Sequence, residues 1–204
     1  ASKLKKAQGL AEKGRSYSSG MDDIVKGLVS GDNSQMHPLL GNLDTNIKKT
    51  LIIIVSSDRG LCGGLNSNIA KSVRSKINEL KSKNQEISLL CIGKKGYDLL
   101  SVLNSNLFDF EVKSLIIGDM DFKNTEILGN KILNQFYDKK YNECLLYYNH
   151  FKSVISQEVR EEVLMPYNKL NTSNSKGTEE EKKFYEYEPD EEDVLSKILP
   201  KNFI

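Results

Sequence analysis

From residue 1 to about 30, apolar or small residues recur in steps of three and four: Leu4, Ala7, Ala11, Gly14, Met21, Val25 and Leu28. Ser18 interrupts the stripe, and Leu10, Tyr17 and Ile24 widen it. This is the spacing of a coiled-coil seam, and it predicts one long helix. The small residues Ala7, Ala11 and Gly14 would let a partner helix approach closely. No second long heptad helix exists in the 204 residues, so the seam calls for another chain or a missing part of this one. From periodicity alone, a surface helix lying on its own domain remains the alternative. Residues 31–47 are rich in turn formers, Gly31, Asp32, Asn33, Pro38 and Gly41 among them, and read as a connection.

The pattern then changes to short apolar runs alternating with helical stripes. Ile52, Ile53, Ile54 and Val55 form a β-branched run without polar alternation, which suits a strand (50–56) buried on both faces. A turn through Ser56, Ser57, Asp58, Arg59 and Gly60 follows. Leu61, Leu65, Ile69, Val73, Ile77 and Leu80 then make the inward stripe of a helix ending near residue 84. Further strands are predicted at 87–92, 111–117 and 143–150. Helices are predicted at 94–103 and from Asp121 or Asn124 to about 139, the latter with Ile127, Leu128, Ile132, Phe136 and Tyr137 inward. Strands and helices alternating in this way predict an α/β domain (48–204): a Rossmann-like, mostly parallel sheet with helices on both faces.

After Phe151 no helix intervenes before the strand 158–166, so it should pair with its predecessor as an antiparallel hairpin at the sheet edge, ended by Pro166. Residues 168–183 are polar and read as a flexible loop. Phe184, Tyr185, Tyr187 and Glu188 lead to Pro189, a residue suited to a helix's first turn, and four acids complement that helix's positive end. The clustered tyrosines read equally as a core anchor or a binding patch.

Composition narrows the picture. The length fits one domain, or one domain with an appendage, able to bury roughly 70% of its unfolded surface. The net charge of +1 argues against a nucleic-acid protein. No apolar run approaches the ~18 residues of a membrane-spanning helix. The opening ASKLKKAQ is charged and helical in pattern, unlike a signal peptide. Cys62, Cys91 and Cys144 are odd in number and fall in predicted strands or at a helix start, an intracellular, reduced pattern. His37 and His150 lie far apart without ligand spacing, so no metal site is expected.

The turn after the first strand is the candidate for chemistry. Gly60, Gly63 and Gly64 at a helix start could turn backbone amides toward a phosphate. Their spacing fits neither G-x-G-x-x-G nor the phosphate loop, and Gly93, Lys94 and Lys95 stand where a ribose-binding acid would follow the second strand. Cys62 as a nucleophile at a helix start has no nearby His, and reads instead as a small buried residue. The structural reading has Asp58 or Ser57 capping the helix, Gly60 at positive φ, and Arg59 reaching toward a carboxylate or a partner.

SSDRGLCGGLNSNIAK resembles, nearly residue for residue, the signature of the γ subunit family of the F-type ATP synthase. ASKLKKAQ, FKSVISQ and YEYEPD followed by VLSKILP are similar to further landmarks of that family, in the same order. The resemblance implies a central-stalk subunit with no catalytic site or cofactor of its own, coupling proton-driven rotation of the c ring to conformational change in the α3β3 head. Its implied partners are the α, β, ε and c subunits, with no nucleic acid, and with the membrane met only through the c ring. The implied location is peripheral, on the cytoplasmic face of a bacterial inner membrane or the matrix side of a mitochondrial one. By the same resemblance, Tyr185, Tyr187 and Glu188 match the segment touching the c ring and ε, and Leu4, Ala7, Ala11, Gly14 and Met21 the shaft seam. The chain then reads as a central fragment, without the start of the first helix or the long carboxy-terminal helix. Two other classes compete: a nucleotide-binding enzyme on a flavodoxin-like sheet, and an adaptor domain using Asp58 as an acidic site.

Overall fold

The computed structural model describes residues 48–108, 122–153 and 156–167, together with residues 9, 20 and 39. The shaft seam, the strand expected at 111–117, the loop 168–183 and the Tyr185–Tyr187–Glu188 segment lie outside the described residues. The chain divides into two units, Leu43–Tyr167 and a second made of Ala1–Asn42 with Asn168–Ile204. The sheet belongs to the Leu43–Tyr167 unit.

The elements of that unit run β1 (Lys49–Val55), α1 (Leu65–Ser82), β2 (Glu86–Ile92), α2 (Lys94–Asn104), a 3-10 turn (Ser105–Leu107), α3 (Phe122–Tyr137), β3 (Glu143–Ser153) and β4 (Ser156–Met165). The sheet order is β2-β1-β3-β4. β1 is parallel to both β2 and β3, and β4 closes the edge antiparallel to β3, as the missing helix between them predicts. Pro166 follows β4 directly.

The β-branched run sits where its composition directs it. Leu51, Ile52, Ile53 and Ile54 are all 3% exposed or less, so β1 is covered on both faces. One face carries Ile52, Ile54, Leu89, Cys91, Leu145 and Tyr147 and packs against Ile69, Val73 and Ile77 of α1 and Leu100 of α2. The other carries Leu51, Ile53 and Leu90. The β1-to-β2 and β2-to-β3 crossovers run in opposite directions along the sheet. Within the second connection α2 packs on the α1 face through Leu100, and Phe108 beyond it bridges Leu89 in parallel; a right-handed return from there to β3 puts α3 on the opposite face. Leu128, Ile132, Leu133 and Phe136 are the buried stripe of α3. Asn142 fixes the start of β3 against β1: its Oδ1 accepts from Lys49 N at 2.8 Å, and its own N–H donates to Lys49 O at 2.9 Å.

Two helices end in the same way. Asn84 (φ 55°) follows α1 and Lys139 (φ 58°) follows α3, each one residue past the C-cap. In α1, Gln85 N donates to Leu80 O and Asn84 N to Lys81 O. In α3, Lys140 N donates to Gln135 O and Lys139 N to Phe136 O. These left-handed stops satisfy carbonyls that would otherwise be unpaired.

Three expectations are corrected. Leu61 is not on the buried stripe of α1: it lies outside the helix and is fully exposed, at 109%. Ile127 and Tyr137 are 47% and 39% exposed, because the stripe of α3 centres on Leu128, Ile132 and Phe136, spaced by four, with Leu133 beside it. Cys62 is exposed, and only Cys91 and Cys144 are buried.

Candidate functional site

The turn between β1 and α1 lies at the carboxyl end of the central strand. Its root is bonded to the end of β2 and the start of α2 as well as to the helix it precedes. Ser56 N donates to Ile92 O at 2.8 Å, and Ser56 Oγ donates to Gly93 O at 3.0 Å and accepts from Gly96 N at 2.8 Å. Lys95 N donates to Ser57 O at 3.0 Å. Asp58 Oδ1 accepts from Lys94 N, the first amide of α2, at 2.9 Å. Asp58 therefore caps α2, across 36 residues, and does not cap α1. The N-cap position of α1 is Gly64, without a side-chain bond.

The close approach of turn and α2 explains two glycines. A Cβ at Gly93 (φ 101°) would lie 2.1 Å from Ser56 O, and one at Gly96 would lie 2.7 Å from Ser56 Oγ. Gly60, by contrast, is not among the residues with positive φ. That conformation falls on Leu61 (φ 59°) and Gly63 (φ 60°).

Asn66, which the sequence reading passed over, organises the turn from inside. It is 7% exposed. Its Oδ1 accepts from Ser57 N at 3.2 Å, and its Nδ2 donates to Ser57 Oγ at 2.8 Å and to Cys62 Sγ at 3.0 Å. Ser57 Oγ donates in turn to Arg59 O at 2.6 Å. An Asn at the second position of a helix, where its propensity is poor, was the one signal available in the sequence. Asn149 of β3 adds a tie from the other side, Nδ2 donating to Leu65 O at 3.3 Å. Beyond these ties, Asp58, Arg59, Gly60, Leu61, Cys62, Gly63 and Gly64 are all exposed. The turn is a rigidly rooted projection with a cation and an apolar side chain at its tip.

A second polar cluster joins α1 to the edge strand. The Tyr147 hydroxyl donates to Glu161, and Lys76 Nζ lies 3.2 Å from Glu161 and 3.5 Å from Glu79. Burial, then the bond to Glu161, pushes the Tyr147 phenol well above its ordinary value. Burial opposes the charge on Lys76, but Glu161 and Glu79 outweigh it and raise its pKa. Glu79 is held low by Lys83 and Lys76. Burial pushes the Cys91 thiol up to about 12 and that of Cys144 higher still. Among the described residues no three His, Cys, Asp or Glu side chains are grouped to hold a metal, and no helix is long and apolar enough to cross a membrane.

The profile of the ATP synthase family matches residues 1–204. The ATP synthase gamma chain of Pelagibacter ubique (strain HTCC1062) is 35% identical over 204 residues, covering 99% of this chain and 68% of that relative. That of Brevibacillus brevis is 35% identical over 201 residues, covering 98% and 67%. Among solved structures, a chain of the Tetrahymena thermophila mitochondrial ATP synthase central stalk and c ring superposes with a TM-score of 0.57 at 24% identity, over 95% of this chain and 83% of that one.

Proposed function

Because the chain belongs to the γ-chain family of the ATP synthases, we propose that it couples rotation of the c ring to conformational change in the α3β3 head, without a catalytic site or cofactor of its own. It is a rotor subunit of an F-type ATP synthase, and a peripheral part of that membrane-bound enzyme. In this reading its direct partners are the α, β, ε and c subunits. Tyr185, Tyr187 and Glu188 touch the c ring and ε. Leu4, Ala7, Ala11, Gly14 and Met21 form the seam that pairs with a carboxy-terminal helix. The surface it joins is the cytoplasmic face of a bacterial inner membrane.

The turn at Asp58–Gly64 is the part of this reading with geometry to support it. Leu61 carries two penalties at once. A fully exposed leucine forgoes ~1.5–3 kcal/mol of burial, and a left-handed backbone costs a non-glycine residue roughly 1–2 kcal/mol. Among the described residues, no side chain packs over Leu61. We read a leucine held in a left-handed backbone at an exposed turn as one that meets a surface outside the chain. With Arg59 beside it, the fitting surface is one that offers carboxylates next to an apolar patch.

Leu61→Asn tests this. Asparagine tolerates the left-handed conformation and is polar, so the full-length chain should melt at the same temperature or higher. Assembled complexes in vesicles should nevertheless make ATP several-fold more slowly under a proton gradient. Wild-type synthesis from both Leu61→Asn and Arg59→Glu would refute a partner-facing role for the turn.

A further inference from the structure

The strained, exposed state of Leu61 needs something to hold it, and Asn66 is placed to do so. It is 7% exposed, and both ends of its amide are spent on the turn. Oδ1 and Nδ2 grip Ser57, and the same Nδ2 reaches Cys62 Sγ at 3.0 Å. Ser57 and Cys62 flank the segment that carries Arg59 and Leu61. Through the Ser57 hydroxyl, which donates to Arg59 O, the grip extends to the middle of the loop. One buried amide thus closes the loop on itself.

We infer that Asn66 is the positioning residue of this turn: by clamping Ser57 to Cys62 it presents Arg59 and Leu61 in the one conformation the neighbouring subunit meets. This rests on the reading of the turn as partner-facing. A purely structural Asn66 would act through α1, where it occupies the second helical position. Substitution by aspartate separates the two roles. Aspartate keeps the acceptor for Ser57 N and complements the positive end of the helix, so α1 is maintained or strengthened. It has no N–H to give Ser57 Oγ or Cys62 Sγ, and it draws the Ser57 hydroxyl away from Arg59 O.

The experiment compares wild type, Asn66→Asp and Asn66→Ala. Amide hydrogen exchange is measured on the full-length chain, and proton-driven ATP synthesis on assembled complexes in vesicles. In Asn66→Asp, exchange over 58–64 should speed up about tenfold, as the loss of one to two net hydrogen bonds implies. Exchange in α1 and the melting temperature should hold, while synthesis falls several-fold at equal assembly. Asn66→Ala should show the same loosening of the turn. Unchanged exchange over 58–64 in both variants would overturn the clamp. So would a speed-up spread evenly through α1 and the sheet, since that is loss of helix stability. A loosened turn with wild-type synthesis would overturn the positioning role. Leu61→Asn and Arg59→Glu alter the tip and spare the clamp: if both also synthesise at the wild-type rate, the partner-facing reading has failed, and the exchange result still decides whether Asn66 clamps the turn.

Discussion

Replacing Gly93 by alanine should be far more damaging than replacing Gly63, although both glycines have positive φ. At Gly63 (φ 60°) an added Cβ meets nothing within 4 Å, so only the backbone conformation is penalised, by about 1 kcal/mol. At Gly93 (φ 101°, ψ 135°) the conformation is itself close to glycine-only, worth roughly 1–3 kcal/mol. In addition the Cβ would lie 2.1 Å from Ser56 O and 2.6 Å from Ser56 C, both backbone atoms that no rotamer change can move. Relieving that overlap means parting the ends of β1 and β2 by about an ångström. The bonds from Ser56 N to Ile92 O, Ser56 Oγ to Gly93 O and Gly96 N to Ser56 Oγ all cross that gap. The total is about 4–5 kcal/mol, at the severe end for a single substitution. For a chain of this size that lowers the melting temperature by about 10–15 °C, against 2–4 °C for Gly63→Ala. Thermal melts of the two full-length variants beside wild type decide the matter. Equal losses would mean that φ alone governs both sites and that the approach of Ser56 to Gly93 contributes nothing.

Asp58→Ala should cost about 1 kcal/mol through the lost cap on Lys94 N, and hydrogen exchange should rise at the start of α2 and not at the start of α1. Tyr147 gives a pH dependence. Its phenol is raised above the ordinary 10.0 in the native state, so between that value and the native one the unfolded chain has shed a proton the folded chain keeps. Its contribution is complete below pH 10 and is lost as pH rises above it, at about 1.4 kcal/mol per pH unit for each such group. Tyr148, pushed up to about 12 by burial and by Glu162, adds a second such slope. Urea unfolding between pH 9 and 11.5 should therefore be distinctly less pH-dependent in Tyr147→Phe than in wild type. In the native chain a maleimide should modify Cys62 and leave the buried Cys91 and Cys144 untouched, with all three reacting in denaturant; early labelling of Cys144 would contradict the packing of β3.

The sheet was legible because its signals are local. A short, unbroken β-branched run bounded by turn residues suits a strand covered on both faces, and a strand that follows another without a helix turns back on it. The turn was misread where its determinants are not local. Leu61 continues the four-residue spacing of α1, so periodicity assigns it to the helix; its left-handed backbone and Gly63 delay the helix to Leu65. Asp58 looks like a cap for the helix next in the chain, and nothing in the sequence reports that Lys94 N lies closer. The exposure of Cys62 followed from the same late start. On α3, Ile127 and Leu128 are equally apolar neighbours, and only the position of the sheet decides which one is inward. The segments assigned to partners near either end of the chain lie outside the described residues.

The strand that bears the turn has a neighbour on each side, both parallel to it: seven residues of β1 are in register with β2 and five with β3. A pull on the projection directed along β1 would load both ladders in shear, with every rung sharing the force at once. The same pull applied to β4, which among the described residues pairs with β3 on one side, would be shared by a single ladder. In a component that transmits torque, two ladders spread a load over more hydrogen bonds than one. The projection is thus anchored to the strand of the sheet best able to carry a mechanical load.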